Sequence, residues 1–196
     1  MKMPESSTKN KILQIASGLF YSKGFVNTGI EEIIVSCNIK RPTLYYYFNS
    51  KVELGLAYLD FQEKEFIGVL EKLGERNHTL QDFFAAWTIL VKRAAREKNF
   101  YGCPFSSFAA QLNPDDKPVF EKKLHHIKNR WLETVSYILK QKSKKKNKRE
   151  LDYSAIATEV MVIYVGTSNL YRMTGQIEFL NAMGNQFEQI ATRCRE

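Results

Sequence analysis

The stretch IKRPTLYYYFNSK, from Ile39 to Lys51, holds two adjacent cations, a proline, a threonine, three consecutive tyrosines and a closing lysine. On a helix successive side chains diverge by about 100°, so Tyr45, Tyr46 and Tyr47 cannot all face one core. Phenol hydroxyls donate to phosphate oxygens, and their rings stack on sugars or thymine methyls. Lys40, Arg41 and Lys51 add charge that neutralises a polyanion. Half-buried tyrosines are common in helices, and one of the three is expected to be such a residue. Leu44 and Phe48, four apart, supply the apolar side of a short helix from about Arg41 to Phe48. Arg41, Thr43, Tyr46 and Tyr47 are then directed outward, with Tyr45 at the margin. Arg41 could fork onto a guanine edge, and it could equally hold a phosphate. Aromatic, basic and helical features converge on nucleic-acid contact.

Such a helix needs elements that present it. Ser6-Ser7-Thr8 is expected to cap a first helix, with Ile12, Ile15, Ala16, Leu19 and Phe20 on one face and Gly24 at its end. Thr28 reads as the N-cap of a second helix carrying Ile30, Ile33 and Ile34. Glu31 and Glu32 in its first turn complement the helix dipole. Cys37-Asn38 forms the next turn, Asn being suited to the left-handed region. Pro42 falls in the first turn of the third helix, where a missing N–H is harmless. Asn49 or Ser50 caps a fourth helix running from Lys51 to about Leu73. Two short helices joined by a turn, behind a supporting first helix, make a helix-turn-helix.

Composition agrees with a helical, DNA-directed chain. The 196 residues include 10 glycines and 5 prolines, few enough for long helices with short connections, and the formal charge is +8. From Met1 to Lys51 seven cations face three acids; from Lys140 to Arg149 there are seven cations and no acid. Cys37, Cys103 and Cys194 are odd in number and lack metal-ligand spacing, which predicts reduced thiols. The N-terminal residues lack the long apolar run of a signal peptide, and a cytoplasmic location is expected, with no membrane partner. No nucleophile motif, Gly-rich phosphate loop or spaced His/Asp/Glu cluster is present, so no enzyme, cofactor or metal site is expected. His125 and His126 are adjacent and splay apart on a helix, as surface residues do.

The run KNKILQIASGLFYSKGFVNTGIEEIIVSCNIKRPTLYYYFNSKVEL resembles the DNA-binding domain of TetR/AcrR-type transcriptional regulators. The resemblance covers about the first quarter of the chain. It rests on the LF…GF…T…I pattern and the TLYYYF.SK block. It implies an all-α fold of about nine helices. Residues 1–50 would form the helix-turn-helix DNA-binding domain and residues 51–196 a ligand-binding and dimerisation bundle. It further implies that residues 41 to 48 are the recognition helix, and that Thr28, Lys40, Arg41, Pro42, Thr43, Tyr45, Tyr46, Tyr47 and Lys51 face a double-stranded DNA operator. The chain departs from the family pattern at Asn38, commonly glycine, at Lys40, often serine or threonine, and at Pro42, commonly small. The fold tolerates all three; the operator sequence is what they alter.

The remaining sequence reads as helices. Thr79 opens one carrying Leu80, Phe83, Phe84, Trp87, Leu90 and Val91 on an apolar stripe. A short one follows with Phe105, Phe108, Ala109 and Leu112. Asn113-Pro114-Asp115-Asp116 then turns the chain into a long helix stepping through Phe120, Leu124, Ile127, Trp131, Val135 and Ile138. The lysine-rich run 140–149 reads as a solvated connection, with DNA or anionic-membrane contact as its functional alternatives. Leu151 to Met173 is apolar on nearly every face and must be covered on every face. A second copy of the chain provides that cover, and the resemblance implies a homodimer through the last two helices. It also implies a small-molecule effector among the C-terminal helices. Phe84, Trp87, Phe105, Phe108, Trp131 and Tyr164 are candidate lining residues for an apolar or aromatic ligand, although core packing gives the same pattern. Cys103, in GCPFSSFAAQL, is a further candidate, with two readings. It is a small buried residue, or a thiolate favoured by a helix N-terminus that senses electrophiles or oxidants. The function expected is a repressor released from a palindromic operator by its effector, with redox sensing through Cys103 as the alternative.

Overall fold

The computed structural model describes residues 5–143 and 151–195. Among them lie nine helices and no strand: α1 (Glu5–Ser22), α2 (Ile30–Cys37), α3 (Arg41–Tyr47), α4 (Lys51–Arg76), α5 (Leu80–Arg96), α6 (Pro104–Ala109), α7 (Lys117–Lys142), α8 (Tyr153–Thr174) and α9 (Glu178–Arg193). Two compact units emerge. The first joins residues 1–64 to 104–125, and the second joins 65–103 to 126–196. The division falls inside α4 and inside α7, so neither unit is a single run of sequence.

The first unit is held by α1, whose Ile12, Ala16 and Phe20 are buried, and by Leu44 and Phe48 from the end of α3. Its centre is Phe25, in the α1–α2 connection. The Phe25 ring meets Phe20 at 5.1 Å, Phe108 at 4.8 Å and Phe120 at 5.4 Å. Gly55 lets α4 approach that ring closely, because a Cβ there would lie 2.7 Å from it. Edge-to-face packing of this kind adds about 0.5–1.5 kcal/mol per pair beyond the area buried. Lys123, mostly buried on α7, bonds Asp60 at 2.5 Å and Glu63 at 2.6 Å on α4.

In the second unit α5 packs against α9, and α8 against α9. Gly184 gives α9 room beside Thr88 of α5, 3.0 Å from where a Cβ would stand. An aromatic cluster fills the interior. Trp87 stacks on Tyr164 at 5.2 Å and on Phe187 at 5.1 Å, while Phe66 meets Trp131 at 4.7 Å. Thr79 caps α5 by accepting from Asp82 N–H at 3.1 Å. Asp152 caps α8 by accepting from Ser154 and Ala155 N–H groups. Arg193 of α9 pairs with Glu159 of α8.

Several expectations are corrected. The first helix already includes Ser6, Ser7 and Thr8 rather than starting after them. The N-cap of α2 is Gly29, not Thr28; the Thr28 hydroxyl donates to the Gly24 carbonyl at 2.8 Å and is buried. α4 continues to Arg76, past Leu73. Leu90 is exposed, off the buried stripe of α5. Of the lysine-rich run, Lys140 and Lys142 belong to α7; residues 144–149 lie outside the described residues.

Candidate nucleic-acid interface

Asn38 links α2 to α3 with φ 51° and ψ 53°, and its N–H bonds the Val35 carbonyl at 3.0 Å. Asparagine tolerates this left-handed conformation better than most residues, which is how the turn forms without glycine. Lys40 stands at the N-cap of α3 with no side-chain cap bond, and Arg41 and Pro42 open the helix. Leu44 and Phe48 point into the unit at 0% and 2% exposure, which turns most of the neighbouring α3 side chains outward. Lys40, Arg41, Pro42, Tyr45 and Tyr46 are exposed; Thr43 and Tyr47 are half-buried. Tyr46 reaches 70% exposure and Tyr45 38%, so Tyr47, not Tyr45, is the marginal tyrosine. Tyr46 and Tyr47 meet edge to face at 4.9 Å, an arrangement that stiffens the pair. The result is one surface that joins two cations to two accessible phenols.

Two residues named from the resemblance stand elsewhere. The Thr28 side chain is buried and its hydroxyl committed to Gly24, so it offers DNA no hydroxyl. Lys51 is half-buried. Its Nζ donates to the Val26 carbonyl at 3.3 Å and lies 4.7 Å from the centre of the Phe25 ring. Burial lowers its pKa, and Asp116 opposes that shift. Lys51 therefore ties the start of α4 to the α1–α2 connection. Ser50 supplies the cap there, accepting from Glu53 N–H at 3.0 Å, while Glu53 accepts from Asn49 N–H at 2.8 Å.

The seven candidate effector residues are all buried, but they do not form one group. Phe84, Trp87, Trp131 and Tyr164 share the aromatic cluster of the second unit. Phe105 and Phe108 belong to the first, where Phe108 packs on Phe25, Tyr58 and Phe120. Cys103 is fully buried, which keeps its thiol from reagents in solution. Phe66 and Phe187 complete the cluster. Phe187 carried a sequence signal, since it lies in the Leu180–Met183–Phe187–Ile190 register. Phe66 sits on α4 among charged residues and carried little. A groove of about 640 Å³ runs beside Gly74 and Ile138, rimmed by Glu71, Glu75, Glu133 and Tyr137. On α8, Val162, Leu170 and Met173 are exposed beside the open Gly166, and Val162 and Met173 reach 64% and 74%. No helix among the described residues is long and apolar enough to cross a membrane. None of their His, Cys, Asp and Glu side chains gather in threes that could hold a metal.

Residues 12–58 match the model of the bacterial regulatory proteins, tetR family. An HTH-type transcriptional regulator of the lacX 3′ region of Lactococcus lactis subsp. lactis is 30% identical over 126 residues, 62% of each chain. The icaADBC negative transcriptional regulator IcaR of Staphylococcus epidermidis is 30% identical over 76 residues, 39% of this chain and 41% of that one. The matched stretches thus span less than two thirds of either relative. A TetR-family regulator from Streptomyces coelicolor shares the fold, with a TM-score of 0.80 over 97% of both chains at 20% identity. Residues 12–58 thus carry the helix-turn-helix of the tetR family of bacterial regulatory proteins, and the chain as a whole has the fold of a solved TetR-family regulator.

Proposed function

We propose that this protein is a DNA-binding transcriptional repressor, acting in the cytoplasm as a homodimer and released from its operator by a small apolar or aromatic effector. One observation carries the reading. α3 buries Leu44 and Phe48 and thereby turns Lys40, Arg41, Tyr45 and Tyr46 to solvent on a single surface. Phosphates suit the cations and hydroxyls, and base edges suit the start of the helix. Pro42 and Thr43 would approach the groove beside Arg41, and Tyr47 would support Tyr46. The DNA-binding domain would be residues 1–50 and the effector-binding and dimerisation domain residues 51–196. Negative regulation is the sign carried by the name of IcaR. No catalytic role is assigned.

Dimerisation follows from α8. An aliphatic face with Val162, Leu170 and Met173 around Gly166 is unfavourable in water, and a second copy of the α8–α9 surface would cover it. Two-fold symmetry then sets two recognition helices on a near-palindromic site. The effector would enter the aromatic cluster of Trp87, Trp131 and Tyr164 in the second unit and shift α4. Only one of two dimer conformations then fits the operator.

Binding to duplex DNA over a salt series tests the central step. The wild type should lose affinity steeply as salt rises, because phosphate contacts release counterions. Affinity that ignores salt, or that survives Tyr46→Ala and Lys40→Ala together, would overturn the reading. Effector action is tested separately: a compound that raises the melting temperature of the protein should lower its DNA affinity.

A further inference from the structure

The first turn of α2 carries two adjacent carboxylates, and each holds a cation from a different neighbour. Glu32 pairs with Lys23 of the α1–α2 connection, and Glu31 pairs with Arg41, the first residue of α3. Adjacent helical side chains diverge by about 100°, which is how one turn reaches both flanks. The second pair bears on how DNA is read.

A guanidinium can clasp a phosphate, or it can fork onto the O6 and N7 of guanine. Its surroundings decide between them. With Glu31 against it, Arg41 is half of a pair whose net charge is zero. A phosphate brought to that pair meets the carboxylate as well as the guanidinium, and the repulsion cancels much of the attraction. The acceptor edge of guanine carries only partial negative charge, so the repulsion it meets is far smaller. Only Nη2 of Arg41 engages Glu31, and the remaining donors of the fork stay available for a base. Both side chains are more than half exposed, at 58% and 64%, so the pair contributes little to folding. Its consequence is the direction it gives the guanidinium.

We infer that Arg41 reads a guanine in each half-site and that Glu31 is the positioning residue that directs it to the base, while Lys40 serves the phosphate backbone. The inference rests on the DNA-binding reading above and deepens it.

Full-length protein, a library of randomised duplexes and a salt series on the enriched sequences provide the test. Wild-type protein should enrich half-sites with guanine at one fixed position. Arg41→Ala should lose that preference by about 5- to 150-fold, with the slope of log affinity against log salt unchanged. Glu31→Gln keeps the side-chain size and removes the charge. It should relax the same position, bind unrelated duplex more tightly and steepen the salt slope. Lys40→Ala should leave the base preference intact and lower the slope by about one. Either of two results overturns the inference while leaving DNA binding standing. One is uniform weakening of all duplexes by Arg41→Ala, with the slope falling by about one. The other is an unaltered guanine preference in Glu31→Gln. Folded wild-type protein that binds no duplex would sink the DNA-binding reading itself, and this inference with it.

Discussion

α3 and α8 both turn large side chains toward solvent, but with opposite chemistry. On α3 the exposed groups are phenols beside cations: Tyr45 and Tyr46 next to Lys40 and Arg41. On α8 they are aliphatic, Val162, Leu170 and Met173, beside a glycine. A phenol with a neighbouring cation can trade water for phosphate, so the first surface suits a charged, hydrated partner. An aliphatic face can only gain by excluding water, so the second suits another apolar face. Exposure alone names no partner; the chemistry of what is exposed says which kind each surface would suit.

The sharpest way to break that contrast is to show that size, not exposure, sets a residue's role. Trp87 is as large as any side chain in the protein and is 2% exposed, so Trp87→Ala should cost the fold about 3–5 kcal/mol in chemical denaturation. A cost near zero would mean that the aromatic cluster is not a packed core. Next in size, Val162→Glu should weaken dimerisation by about 2 kcal/mol or more, read by sedimentation. Unchanged association would place the dimer contact away from α8.

The same contrast holds for cations. Lys123 is held by Asp60 and Glu63, whereas Lys40 stands outward. Lys123→Met should therefore destabilise by about 1–3 kcal/mol, leaving two carboxylates without their shared donor, and Lys40→Met should leave stability unchanged. Burial lowers the Lys123 pKa, but hydrogen bonds to Asp60 and Glu63 outweigh it and raise the pKa overall. Its contribution is thus complete below the ordinary lysine value of about 10.4 and is lost as pH climbs through the raised, folded-state value. A denaturation series from pH 8 to pH 11 in both variants, set against wild type, reads that sign. The smallest effect belongs to α3: Tyr46→Ala should reduce DNA affinity by about fivefold, roughly 1 kcal/mol, with no shift in melting temperature. A fall in melting temperature of several degrees would put Tyr46 in the core and remove the contrast.

Much of this was legible in the order of residues. The spacing of Leu44 and Phe48 is enough to turn the tyrosines outward, because helical geometry is local and leaves a seven-residue helix little choice. The caps at Thr79 and Ser50 are equally local and fall where the sequence puts them. Thr28 and Lys51 make contacts that their residue types do not announce. Each has a side chain suited to a cap or a phosphate, but a backbone carbonyl accepts from it instead, Gly24 four residues back for one and Val26 twenty-five residues back for the other. For the effector candidates the limit of the sequence is different. Aromatic residues at helical spacing declare that they are buried, and they do not declare with whom. Phe84 and Phe108 carry the same one-dimensional signal and lie in different compact units.

The amino-acid sequence by itself determined the helices, the caps at Thr79 and Ser50 and the outward face of α3, since all depend on interactions within a few residues of chain. Tertiary structure decided which aromatics share a cluster, that Lys51 braces a loop, and that Arg41 is met by Glu31. Those outcomes depend on which segments fold back against one another, and residues far apart in sequence record that contact in no local pattern.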